Sequence, residues 1–175
     1  LIDAGTVLSA RHIGLAAAMN QPTLHVRRKP RVAILATGNE IAQPGTNHAP
    51  FQIINSNSFA LHAYIIALGG DPIDLGICRD NLEQLIASIE EALSADILVT
   101  TGGVSVGDYD LVGQALGKKG LRQIFHKIAM RPGKPLISGT IEGIPMIGLP
   151  GNPVSTAVCA LVFLRPAIAH MVRDR

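Results

Sequence analysis

Four short segments hold most of the residues that could do chemistry. Thr37-Gly38-Asn39-Glu40 follows one apolar run, and Thr100-Thr101-Gly102-Gly103-Val104-Ser105-Val106-Gly107-Asp108-Tyr109-Asp110 follows another. Arg131-Pro132-Gly133-Lys134-Pro135 is basic and stiffened by prolines, and Gly148-Leu149-Pro150-Gly151-Asn152-Pro153-Val154-Ser155 opens a long apolar stretch. The paired glycines Gly102 and Gly103 let a ligand approach the backbone and turn N–H groups towards it. Thr101 and Ser105 add hydroxyl donors, and the loop feeds a helix start, where the dipole and free N–H groups favour an anion. Its spacing is neither a Walker A sequence nor a dinucleotide fingerprint, so neither ATP hydrolysis nor dinucleotide binding is inferred. A glycine-rich turn with nothing bound is the plain alternative.

Charge sharpens the reading. Asp108 and Asp110 fall at the first helical turn, where an acid often only complements the helix dipole. Beside an anion, however, a carboxylate calls for a cation, typically Mg²⁺ bridging carboxylate and phosphate. Glu40 is open to the same two readings, a surface acid or a second acid at the same rim. Arg131 and Lys134, with Lys127 upstream, suit phosphate, Arg as a planar fork and Lys as a point charge, unless they form only an exposed basic turn. Asn152-Pro153 reads as a helix cap followed by a first-turn proline, with Ser155 able to donate at the same N-terminus. The six histidines lack metal-ligand spacing, and a Gly-x-Ser-x-Gly elbow is missing.

The elements that must position these loops follow from apolar patterning. The continuous apolar run at 32–36 predicts a strand covered on both faces, 97–101 another buried strand, and further strands are expected at 23–26, 52–55, 73–78, 122–127, 136–139 and 144–149. Helices are expected at 9–19, at 58–68, after Asn81, at about 108–116, and from Asn152 to about Met171 with a bend at Pro166. Strand–helix alternation of this kind predicts an α/β domain with a mostly parallel sheet, whose ligand site lies beyond the carboxyl ends of the strands. The basic stretch 27–31 reads as a solvated connection, dividing the chain into a tail at 1–26 and a domain at 27–175.

Composition narrows the function classes. Among 175 residues, 47% are hydrophobic and 16% charged, which excludes disorder. A net charge of +2 and the absence of Trp argue against nucleic-acid binding by charge or base stacking. No unbroken apolar run reaches the roughly 18–20 residues of a membrane span. Cys78 and Cys159, far apart and without a CxxC, read as reduced thiols in a cytoplasmic protein. The start at Leu1 resembles neither an initiator nor a signal peptide, and reads as part of a longer polypeptide.

Taken together, the four segments resemble the molybdopterin-binding domain of MoeA-type molybdopterin molybdenumtransferases, the gephyrin E-domain family. Pro30-Arg31-Val32-Ala33-Ile34 leading into Thr37-Gly38-Asn39-Glu40 keeps the family's phrase and order with the other three loops. The resemblance implies a three-layer α/β/α domain in molybdenum cofactor biosynthesis, taking molybdate and adenylylated molybdopterin with Mg²⁺ and releasing AMP. It implies that Asp110 and Glu40 are acids at the metal or molybdate site, and that Lys134 and Arg131 hold phosphate or oxyanion. Thr101, Gly102, Gly103, Ser105, Lys127 and Gly133 would line the substrate pocket, with Asn152, Pro153 and Ser155 at its far wall. It also implies a homodimer in the full-length protein, and functional partnership with a MogA-type adenylyltransferase. Asn39 and Asn55 stand where many relatives carry Asp, which lowers the charge of the site. Two other readings compete: a molybdopterin adenylyltransferase of the MogA/MoaB type, which would adenylylate molybdopterin with ATP, and a non-catalytic scaffold module.

Overall fold

The computed structural model describes residues 2–102, 117–118 and 120–173. In chain order these form α1 (Ala10–Ala18), β1 (Arg31–Thr37), β2 (Ile41–Ala42), β3 (Ile53–Ile54), α2 (Asn57–Ala67), β4 (Asp71–Cys78), α3 (Leu82–Ala92), β5 (Ile97–Thr101), β6 (Arg122–His126), β7 (Ile137–Ile141), β8 (Ile144–Leu149) and α4 (Pro153–Cys159). A π-helical turn, Ala160–Leu164, joins α4 to α5 (Arg165–Arg173). The expected helix at 108–116 lies outside the described residues.

Strands with no polar face must sit between two covering layers. Every residue of β1 from Val32 onward is buried, and all five residues of β5 are buried. The sheet runs β4-β1-β5-β8-β7-β6. β4, β1, β5 and β8 pair in parallel, whereas β7 and β6 pair antiparallel with their neighbours. The β7–β8 reversal is a two-residue turn in which Glu142 (φ 46°) and Gly143 (φ 91°) both take positive φ, the backbone a tight hairpin demands.

Strand alternation divides the core between the two faces. Ala33, Leu35, Leu98 and Met146 pack with Leu85, Ile89 and Ala92 of α3. Val32, Ile34, Ile97, Val99 and Leu149 pack with Leu61 and Ile65 of α2 and with Cys159, Leu164 and Ile168 beyond it. This is the expected α/β/α sandwich. Cys78 and Cys159 are both free, and they lie in different clusters on opposite faces of the sheet. Burial pushes both thiols above their usual pKa, the direction that keeps them inert.

Three expectations need correction. Residues 23–26 form no strand, and Val26 is 67% exposed. Their β-forming side chains have no neighbouring strand to complete a ladder, and propensity without a partner makes no sheet. The expected strand at 52–55 shrinks to Ile53–Ile54, which pairs in parallel with Ile41–Ala42 as a separate ribbon. Finally, the helix Pro153–Val172, 20 residues long, is long and apolar enough to cross a membrane by length and composition, with mean hydropathy 1.6 over its most apolar 18 residues. Counting unbroken apolar runs passed over it because Arg165 interrupts the run. Its apolar stripe of Cys159, Ala160, Leu164 and Ile168 is buried against the sheet, whereas Val154, Leu161 and Val162 of the same helix are exposed.

The bend at Pro166 takes a definite form. Proline has no N–H and its ring crowds the carbonyl four residues back. The preceding turn widens, and Arg165 N donates to Ala160 O, five residues back. The connection at 27–31 is likewise more ordered than expected. Arg28 donates to both carboxylate oxygens of Asp96, at 2.5 and 2.6 Å, and Arg31 N donates to the same carboxylate at 2.7 Å.

Candidate functional site

Because β1, β5 and β8 run the same way, their last residues share one edge of the sheet. Ala36 lies beside Thr101, and Thr101 beside Leu149. The loops that follow therefore meet. At Gly102 φ is +82°, and the backbone carbonyl of Thr37 occupies the position a Cβ would take. A Cβ at Gly151 would in turn lie 3.5 Å from Gly102 Cα. Only glycine permits the β1 and β5 loops to approach this closely.

Between these loops and the start of α2 lies a cavity of about 250 Å³. Of the predicted site residues, Glu40, Thr101, Gly102, Asn152 and Pro153 line it. Glu40 is carried there by the β2–β3 ribbon, since Ile53 N donates to its carbonyl at 2.7 Å. Its carboxylate folds back over Gly38, where a Cβ would stand 2.5 Å from Oε2. The Asn152 side chain is committed to capping α4, with Oδ1 accepting from Val154 N at 3.1 Å and from Ser155 N at 3.2 Å. Ser155 is half-buried and does not line the cavity.

The basic loop reaches the same edge by a different route. β6 ends, and β7 begins, beside Gly148 of β8, since His126 pairs with Ile137 and Ile137 with Gly148. The loop closes on itself through Lys127 N to Leu136 O at 2.9 Å, Ile128 N to Lys134 O at 3.0 Å and Leu136 N to Gly133 O at 3.1 Å. Lys127, Arg131 and Lys134 are exposed, and none of them lines the cavity. Gly133 is buried, its Cα tucked against Met130 and Cys159, so its role here is close packing. Gly103, Ser105, Asp108 and Asp110 lie outside the described residues.

Two asparagines noted in the sequence have structural employment. Asn39 Oδ1 accepts from Asp80 N at 3.2 Å, and Asn39 does not line the cavity. Asn55 does line it, but its amide is paired with Ser58: Oδ1 accepts from Ser58 N at 3.2 Å, and Nδ2 donates to Ser58 Oγ at 3.0 Å. A metal contact through Asn55 Oδ1 would compete with that cap.

Sequence reasoning missed Asn57. At the start of α2, its Nδ2 donates to Thr101 Oγ1 at 3.0 Å and to Gly151 O at 2.8 Å, tying together the ends of β5 and β8. The polar run Asn55-Ser56-Asn57-Ser58, opening a helix just after a short strand, was the available signal. Thr37, named within the first segment, was given no role of its own. Its hydroxyl is buried at the end of β1 with no hydrogen-bond partner among the described residues.

Glu40 is the one carboxylate lining the cavity among the described residues, and no salt bridge there engages it. Those residues contain no cluster of three or more His, Cys, Asp or Glu. A single uncommitted carboxylate fits Mg²⁺, which takes one or two protein carboxylates and fills its shell with water and phosphate oxygens. It does not fit a metal held wholly by protein.

A family profile described as "Probable molybdopterin binding domain" matches residues 33–170. The chain belongs to the molybdopterin-binding domain family. This molybdopterin-binding domain is 42% identical over 175 residues to a molybdopterin molybdenumtransferase of Nostoc sp., covering 98% of the chain and 40% of that protein. It is 38% identical over 170 residues to molybdopterin molybdenumtransferase 2 of Mycobacterium tuberculosis, covering 94% of the chain and 42% of that protein. Among solved structures, the molybdopterin biosynthesis MoeA protein of Pyrococcus horikoshii superposes with a TM-score of 0.85 at 37% identity, over 96% of the chain and 42% of that protein. The domain thus spans about two fifths of the length of these relatives.

Proposed function

We propose that this domain binds the pterin substrate of a molybdopterin molybdenumtransferase, the enzyme that inserts molybdenum from molybdate into adenylylated molybdopterin and releases AMP. One observation carries the reading: three loops distant in sequence, together with the start of α2, meet at one cavity on the carboxyl edge of the sheet. The names of relatives at 42% and 38% identity supply the substrate class.

In this reading Thr101 and the backbone at Gly102 receive pterin or phosphate oxygens. The loop bearing Lys127, Arg131 and Lys134 supplies positive charge at the same rim, with Gly133 setting its packing. Asn152, Pro153 and Ser155 build the far wall by starting α4 there. Glu40, with Asp110, would hold Mg²⁺, which supplies charge neutralisation on the phosphoanhydride and oxyanion. Fixed donors and cations aimed at developing negative charge are the chain's own contribution to catalysis. By their motif, Gly103 and Ser105 would bind the same phosphate.

The division of the chain at Arg27 belongs to this reading. The matched region, 33–170, falls within 27–175, and α1 buries only Ala16. We further propose a cytoplasmic, homodimeric parent protein that receives its substrate from a MogA-type adenylyltransferase.

Titration of molybdopterin and of AMP, each with and without Mg²⁺, tests the proposal. Binding that tightens with Mg²⁺ is expected for AMP. Lys134→Ala should weaken both ligands, while Glu40→Gln should remove the Mg²⁺ dependence and spare Mg²⁺-free binding. Failure of both ligands to bind would overturn the reading, and adenylylation of molybdopterin from ATP by this chain would replace it with the adenylyltransferase one.

A further inference from the structure

Asn57 faces two oxygens, and one of them fixes how its amide must point. Gly151 O, 2.8 Å away, is a carbonyl and can only accept, so the atom facing it is the amide nitrogen. The orientation of this side chain, often ambiguous for asparagine, is therefore set by chemistry. The second N–H then faces Thr101 Oγ1 at 3.0 Å, and the hydroxyl must accept. A threonine hydroxyl has one proton and two lone pairs. Asn57 offers it only a donor, so the Thr101 proton cannot be spent on Asn57. Thr101 is 3% exposed and lines the cavity, and its hydroxyl makes no other hydrogen bond among the described residues. A buried donor without an acceptor is costly, and a ligand oxygen placed there relieves the cost.

We infer that Asn57 is a positioning residue that fixes the Thr101 hydroxyl as a hydrogen-bond donor into the cavity, so that the site selects a ligand oxygen which accepts at that point. The identity of the ligand rests on the function proposed above; the direction of the proton does not. Phosphate and pterin carbonyl are two sources of such an oxygen, and they can be separated.

Two measurements test the inference. In the ¹⁵N-labelled chain, both side-chain amide protons of Asn57 should be protected from exchange, and Thr101→Val should release one while leaving the other. Free exchange of both in the unaltered chain would overturn the inference whatever binds. For molybdopterin, Thr101→Val should raise Kd by about tenfold, the cost of losing a hydrogen bond to a charged or strongly accepting oxygen, and Thr101→Ser should stay within about twofold. Asn57→Ala should weaken binding, and the Asn57→Ala/Thr101→Val double variant should bind no worse than Thr101→Val alone. Penalties that multiply in the double variant would show that Asn57 acts independently of Thr101, and would overturn the inference. With dephosphorylated molybdopterin, loss of the Thr101→Val penalty identifies phosphate as the acceptor, and its persistence identifies the ring carbonyl. If the unaltered chain binds no molybdopterin while the Asn57 protons are protected as described, the proposed function falls and the proton direction stands.

Discussion

At Gly102 the backbone turns with φ +82° while the Thr37 carbonyl fills the space next to Cα, so Gly102→Ala combines left-handed strain with a backbone clash. The expected cost is about 1–3 kcal/mol, and the melting temperature should fall by about 2–4 °C per kcal/mol. Calorimetry of Gly102→Ala against Gly45→Ala separates the two contributions, because Gly45 also has positive φ (+79°) but nothing within 4 Å of a Cβ. The larger loss should be at Gly102. Residue types at the rim were legible in the sequence because Gly, Thr and Glu directly after an apolar strand have few structural reasons to be there. For Asn57 the sequence offered only a polar run at a helix start, not the partners of its amide. An asparagine near a helix start ordinarily caps it, and only the arrival of Thr101 and Gly151 from distant parts of the chain gives its amide two other partners. Asn39 shows the converse, a residue within the motif whose side chain accepts from Asp80 N instead of lining the cavity.

Helices were placed well from sequence wherever a cap and a periodic apolar face coincide. Asn81 accepts from Gln84 N at 3.0 Å, and Leu85, Ile89 and Ala92 of α3 are buried, which is the pattern the sequence displays. Asn81→Ala should cost about 1 kcal/mol of stability, read by urea denaturation, with ligand binding unchanged. Asn152→Ala removes a comparable cap at α4, but there the helix start forms the cavity wall, so binding should weaken along with stability. Strands were less legible. Residues 23–26 look like a strand locally, and nothing in a local window reveals that no neighbour will pair with them. The antiparallel course of β6 and β7 is also a nonlocal outcome, decided when the Glu142-Gly143 turn folds β7 back along β8.

For the molecule as a whole, the Arg28–Asp96 pair ties the amino-terminal segment to the sheet. The hydrogen bond from Arg28 holds the Asp96 carboxyl below its ordinary pKa, with a further bond from Arg31 N acting the same way. A carboxyl depressed in the folded state binds protons more readily once unfolded. Its contribution is therefore complete above about pH 4, the unfolded value, and is lost as pH falls through the lower folded value. Asp96→Asn should flatten that acid limb of the stability–pH curve in urea titrations, and added salt should mute the difference, since the pair is largely exposed. The location of this clamp has a practical side. Arg31 and Asp96 stand at the beginnings of β1 and β5, whereas Thr37 and Thr101 stand at their ends, one strand length or about 20 Å away. The molecule is polar in the geometric sense, held at one pole and open at the other. A biotin or affinity handle attached ahead of Arg28 would moor it to a sensor chip with the cavity facing the flowing solution, whereas a handle on the 127–136 loop would turn the opening toward the chip.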